Sequence, residues 1–293
     1  MKLFKFISLT ILVTCFTCFT QGADDHDEAG DFCYVSEECG PESEKWGGAC
    51  KTGSMQSPIN FIRRPGQIST PVHLDFNDMY ASEDYWIRNN GHTVQVNLNE
   101  DPTSAGEMTG YGFDRPYIFA QIHFHWGEDD STGSEHTLNG AAFPLEVHLV
   151  HYDSQYPSFS AAAQSGDPKG LAVLGLWLAP GTEEDINESF DTIAANLPIL
   201  YQPNESHIPI PLDLHWMLPD KRETFFRYMG SLTTPNCSEV VEWTVMETPI
   251  YVKPSEIERF RQVLNHEERL MRLNYRPVQE IGNRQVEYLV RDW

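Results

Sequence analysis

The sequence predicts a mostly β domain with a few short helices. Three observations carry this reading. Short runs of β type recur at residues 86–88, 93–97, 118–126, 145–152, 171–178 and 240–246. Within two of them, 121–127 and 145–150, apolar and polar residues alternate with the period of a strand, and the first ends at Gly127 before an acidic, Gly-rich stretch. Helical signals are fewer. The clearest is Ser255 with Glu258 as a capping box ahead of Ile257, Phe260, Val263 and Leu264 at helical spacing.

Before these elements, Lys2 and Lys5 precede an apolar run from Phe6 to Phe19. Thr20-Gln21-Gly22 then offers small residues at both positions that signal peptidase requires. Residues 1–22 read as a signal peptide, too short in their apolar part for the roughly 18 to 20 residues of a bilayer span. No later segment spans a membrane, and the end Val290-Arg-Asp-Trp293 is not a hydrophobic anchor signal. A secreted, extracellular protein is expected. Asp24, Asp25, Asp27, Glu28 and Asp31 cluster in 23–45, which reads as a mobile acidic N-terminal extension, and the remainder is one domain. A formal charge of −23 repels phosphate backbones and argues against nucleic-acid binding. The oligomeric state is not encoded in any of these features, and a monomer is the default.

With Cys15 and Cys18 lost with the signal, Cys33, Cys39, Cys50 and Cys237 remain. An even number in a secreted chain suggests two disulfides, with three pairings open. Asn187-Glu-Ser189, Asn204-Glu-Ser206 and Asn236-Cys-Ser238 match the glycosylation acceptor pattern.

The chemistry-bearing residues lie in the alternating strands. Successive side chains of a strand face opposite ways, so Gln121, His123 and His125 share one face. Glu146, His148 and Val150 share a face of the other segment. If the two strands are adjacent, three neutral imidazoles meet at one point, the ligand set of an open catalytic zinc with its fourth tetrahedral position left for water. Each ligand needs its second nitrogen fixed by an acceptor. Gln121 and Glu146, each two residues before a histidine, are placed for this.

In order along the chain stand Gln56-Ser-Pro-Ile-Asn60, Asn90-Gly-His92, the His123/His125 run, Gly133-Ser-Glu-His-Thr137, the His148 run, Leu171-Ala-Val-Leu-Gly175, Gly230-Ser-Leu-Thr-Thr-Pro235 and Asn274-Tyr-Arg-Pro277. From about Trp46 to about Val290 the sequence resembles the alpha-class carbonic anhydrases. The resemblance implies a single large central sheet, mixed but mainly antiparallel and twisted, with zinc at the base of a conical cleft in a catalytic domain over 46–293. It implies a carbonate dehydratase, a zinc lyase acting on carbon dioxide and bicarbonate. Three imidazoles leave zinc its full charge, which favours the hydroxide form of bound water; carbonic anhydrases are themselves the standard example, with a pKa of about 7.

By the same resemblance Gln121 orients His123, Glu146 orients His148, and a backbone carbonyl near Asn274 holds His125. Thr233 and Glu135 form an orienting pair that admits only a proton-bearing atom on the metal. Thr233 N–H and Thr234 bind substrate, beside an apolar wall of Val150, Val173, Leu232 and Trp243. His92 is the proton shuttle, with Asn90 and Tyr80 holding waters, and Cys50 pairs with Cys237, leaving Cys33 and Cys39 as a small loop. His136 and His151 read as structural. Two departures stand out: Gly48 replaces a family tyrosine after Trp46-Gly47, and Asn236 replaces a second proline after Thr-Thr-Pro. The alternative is a catalytically silent binding or mineral-matrix protein of the same fold; ester hydrolysis is a further activity of the same site.

Overall fold

A computed structural model describes residues 32–35, 38–77, 81–98, 105–203, 207–218 and 223–291. The proposed signal peptide, the acidic cluster from Asp24 to Asp31, Tyr80 and Asn204 lie outside them. In chain order the first strands are β1 (Asn60–Phe61), β2 (Thr70–Val72), β3 (Leu74–Phe76), β4 (Ala81–Asn89), β5 (Val94–Leu98), β6 (Glu107–Gly110), β7 (Tyr117–Trp126) and β8 (Thr137–Leu138). They are followed by β9 (Leu145–Asp153), β10 (Leu171–Pro180), β11 (Ile208–Asp213), β12 (Thr224–Gly230), β13 (Val241–Met246), β14 (Ile250–Val252) and β15 (Glu287–Arg291). The helices are short: α1 (Ala49–Thr52), α2 (Phe159–Ala163), α3 (Glu188–Asn196) and α4 (Pro254–Phe260).

One large sheet runs β11-β4-β5-β7-β9-β10-β13-β12-β15-β2. It is mixed, with parallel pairing at β10 against β13 and β14 and at β15 against β2, and antiparallel pairing elsewhere. All six expected β runs correspond to its strands, with Thr93 and Val240 lying one residue ahead of β5 and β13. Those not expected include β12, whose run is buried nearly throughout and carries no alternation, and β11, whose Pro209 and Pro211 break the strand pattern. Proline is tolerated there because β11 is an edge.

The pleat divides the core in two. Ile122, Phe124, Trp126, Leu145, Val147, Leu149, Leu174 and Leu176 pack on one face, where Phe190 of α3 stacks on Phe260 of α4 at 5.5 Å. Val150, Val173, Phe226, Tyr228 and Trp243 pack on the other. Strands buried on both sides explain why β9 is buried at every position.

Three expectations are corrected. The helix near Ser255 has no capping box: α4 starts at Pro254 with Lys253 as N-cap. Instead the carboxylate of Glu183 accepts from Ser255 N (3.0 Å) and Oγ (2.6 Å), while Glu258 pairs with Arg261. The extension is not a free tail over its described part, because Phe32 packs on Trp46 and Trp46 Nε1 donates to the carbonyls of Cys33 and Cys39. Asn187 is not an accessible glycosylation acceptor in the folded chain. It is buried, its Oδ1 caps α3 by accepting from Phe190 N (3.0 Å), and its Nδ2 donates to Trp216 O (2.8 Å).

His151, on β9, is fully buried, and that burial pulls its pKa down to about 4. Below the unfolded value near 6.5 the unfolded chain takes up a proton that the folded chain refuses. Stability is therefore full above about pH 6.5 and declines toward pH 4, by about 2 kcal/mol at pH 5 from this residue alone. Urea midpoints of the chelator-treated protein should fall between pH 7 and 5, and His151→Gln should flatten that fall. An unchanged slope in the variant would remove His151 as its source.

Candidate metal centre

Strands β7 and β9 pair so that His123 lies opposite His148, His125 opposite Glu146 and Gln121 opposite Val150. The inner nitrogens converge: His148 Nδ1 is 3.1 Å from His123 Nε2 and 3.2 Å from His125 Nε2. Each outer nitrogen meets an acceptor. Gln121 Oε1 is 3.0 Å from His123 Nδ1, Asn274 O is 2.7 Å from His125 Nδ1, and Glu146 Oε1 is 2.8 Å from His148 Nε2. These oxygens only accept, so each ring carries its proton on the outer nitrogen and turns a lone pair inward. Three lone pairs at this spacing repel one another unless a cation lies among them. Zinc bonds of about 2.0 to 2.1 Å in a tetrahedron separate nitrogens by about 3.3 Å, so the donor set fits zinc. Burial lowers the pKa of all three histidines, most strongly at His123 and His125, where His148 acts in the same direction. Neutral imidazole is thus the resting form.

The supporting carboxylates differ. Burial alone would raise Glu146, but His136 and His148 overcome it and hold the carboxyl well below its usual range. Its oxygens accept from His136 Nδ1 (2.7 Å) and His136 N (2.8 Å) as well as from His148. His136 Nε2 meets Tyr228 Oη at 2.7 Å, Tyr228 Oη meets Ser57 Oγ at 2.8 Å, and Ser57 Oγ accepts from Ser231 N at 3.0 Å. A buried chain therefore links His148 to the residue two before Thr233. His136, Glu146 and His148 also lie close enough to suggest a second metal group, but their contacts are matched donor–acceptor pairs and act as support. Glu146→Gln removes the charge from this chain and should weaken zinc binding about 10- to 100-fold, measured by competition with a chelator.

Glu135 comes from the loop between β7 and β8. Gly133 draws that loop tight at φ 143°, with its ideal Cβ only 2.1 Å from Pro144 O. Glu135 Oε1 accepts from Arg276 N (2.8 Å), and Oε2 lies 3.5 Å from His125 Nε2 without a hydrogen bond of its own. Burial pushes its carboxyl well above the usual range, with the Arg276 amide and the Thr233 hydroxyl acting against that. A divalent cation among the imidazoles would act in the same lowering direction.

Residues 41–290 match the eukaryotic-type carbonic anhydrase family. The chain belongs to that family. Among its carbonic anhydrase relatives is putative carbonic anhydrase 3 of Caenorhabditis elegans, 36% identical over 87% of this chain and 95% of the relative. Carbonic anhydrase 4 of Rattus norvegicus is 35% identical over 88% and 84%, and carbonic anhydrase 6 of Bos taurus is 36% identical over 80% and 73%.

The remaining positions expected of a carbonic anhydrase are distributed as follows. Val150, Val173 and Trp243 form one row across β9, β10 and β13 by register, in one apolar cluster, with Leu232 packed against it. Trp243 meets His148 edge-on at 4.7 Å, and its Nε1 donates to Ser231 O. Thr233 is buried and Thr234 half-buried in the loop that Cys237 closes. Disulfides join Cys50 to Cys237 and Cys33 to Cys39. Gly48 and Asn236 are both exposed. Asn274 fastens its side chain to Trp126 N, Phe124 O and His92 O, which sets the carbonyl that His125 uses. Asn90 is engaged with backbone: its Oδ1 accepts from His92 N (3.0 Å) and Thr93 N (2.9 Å), shaping the turn that carries His92. Sequence reasoning missed the Tyr228 and Ser57 links. Their residues come from distant segments and carry no spacing signal.

Proposed function

We propose that this protein is an active, secreted carbonic anhydrase that interconverts carbon dioxide and bicarbonate with one zinc on His123, His125 and His148. The observation that carries the reading is the set of three inward lone pairs, each fixed by an acceptor on the outer nitrogen. When bound, zinc supplies a Lewis acid and a source of nucleophilic hydroxide at neutral pH, an effect for which carbonic anhydrase is the standard example.

The chain's own groups do the rest. Gln121, Asn274 and Glu146 hold the ring protons outward. Thr233 Oγ donates its hydrogen bond to the Glu135 carboxylate and keeps only acceptor capacity toward the site, so it favours a partner that carries a proton and disfavours one that would leave it unpaired. Thr233 N–H and Thr234 bind bicarbonate. Val150, Val173, Leu232 and Trp243 exclude water and receive carbon dioxide, which makes few directional bonds. His92 takes up the proton that hydration releases and passes it to buffer. Two disulfides support an oxidising compartment, in keeping with residues 1–22 as a signal peptide and a catalytic domain over 46–293. Stopped-flow hydration by the purified chain should be abolished by chelation and restored by added zinc. Absence of zinc-dependent turnover would overturn the assignment.

A further inference from the structure

The ring of His92 does not stand alone. Phe32 stacks on it with centroids 4.2 Å apart and planes 7° from parallel. Phe32 is itself seated edge-on against the fully buried Trp46 at 5.5 Å, and Trp46 Nε1 donates to both Cys33 O and Cys39 O. The small disulfide loop is thereby anchored where its first neighbour covers one face of His92. From another direction comes His266, exposed in the turn after α4, with its ring 5.1 Å from His92 at 74°. Gly91 makes the room for it: at φ 83° its ideal Cβ would fall 2.2 to 2.4 Å from three atoms of the His266 ring. In the same turn Glu267 and Arg269 pair with each other at 2.9 Å.

We propose that His266 is a second proton relay, taking from His92 the proton that hydration releases, and that Phe32 positions His92 for the transfer. The inference rests on the reading of His92 as the exporting group. His92 accepts a proton at one ring nitrogen and releases one from the other to a ring nitrogen of His266, directly or through one water. His266 then yields its proton to buffer, and both rings return to the neutral form with no other reactant consumed. A second imidazole, able to take up and release a proton in the same way, carries the proton onto an exposed ring, where buffer can collect it.

The test is oxygen-18 exchange between carbon dioxide and water on the zinc-loaded protein, which separates substrate interconversion from the proton-limited release of labelled water. In weak buffer His266→Ala should lower water release by about threefold or more without lowering interconversion, and added imidazole should restore it. Phe32→Ala should act in the same direction. The double variant His92→Ala/His266→Ala should be no slower than His92→Ala alone, because the two act in series. If His92→Ala slows water release and His266→Ala does not, the relay is overturned and the role of His92 stands. If His92→Ala changes nothing, both fall. A double variant much slower than His92→Ala would overturn the series arrangement.

Discussion

Replacing His148 with alanine is expected to abolish zinc binding and carbon dioxide hydration together. The two remaining imidazoles, His123 and His125, sit side by side on one strand and offer a metal only one edge of a tetrahedron. His148 Nδ1 is the atom within 3.2 Å of both, so it closes the site. Zinc content should drop from one per chain to background, and hydration should fall at least about a thousandfold. The fold should survive, because Glu146 keeps two hydrogen bonds from His136 when its bond to His148 is lost. Metal analysis beside circular dichroism separates the two effects. A folded variant that retained one zinc at unchanged affinity would place the metal elsewhere.

Removing the Cys50–Cys237 disulfide, as in a Cys50→Ala/Cys237→Ala variant, is expected to give the largest loss of stability. The bridge spans 187 residues, so in the chain-entropy account it restricts the unfolded chain by about 5 kcal/mol. For a domain of this size that is roughly 10 to 20 °C in Tm. It also closes the loop that carries Thr233, so hydration should decline even where the fold is retained. The Cys33–Cys39 bridge, with a separation of 6, should cost only about 2 kcal/mol by the same account. Calorimetry of the two double variants in non-reducing buffer checks the order. A larger loss from the short loop would mean that packing of Phe32 and Trp46, not chain entropy, sets the cost.

Much of the metal centre could be read from alternation within two short runs. Gln121, His123 and His125 share a face because a strand repeats every two residues, and the same parity places Glu146 with His148. Parity also separates the two apolar faces, one covered by α3 and the other carrying Val150, Val173 and Trp243. Less could be read of the elements with no such signal. The buried run of β12 lacks alternation, β11 is interrupted by prolines, and Asn187-Glu-Ser189 looks like a glycosylation acceptor although the same asparagine caps α3.

By itself, then, the sequence determined six of the strand runs, the faces of their side chains, the candidate ligand set and, through ordered motifs, the family. These are properties of near neighbours along the chain, where backbone geometry dictates the outcome. Only the tertiary structure decided the rest: the register that sets His123 against His148, the Asn274 carbonyl on His125, the path from Glu146 through His136 and Tyr228 to Ser57, and Phe32 and His266 around His92. Those contacts join segments up to more than a hundred residues apart. Which of many chemically suitable partners meets each group depends on how the whole sheet is ordered and where its loops return, and no local periodicity encodes that.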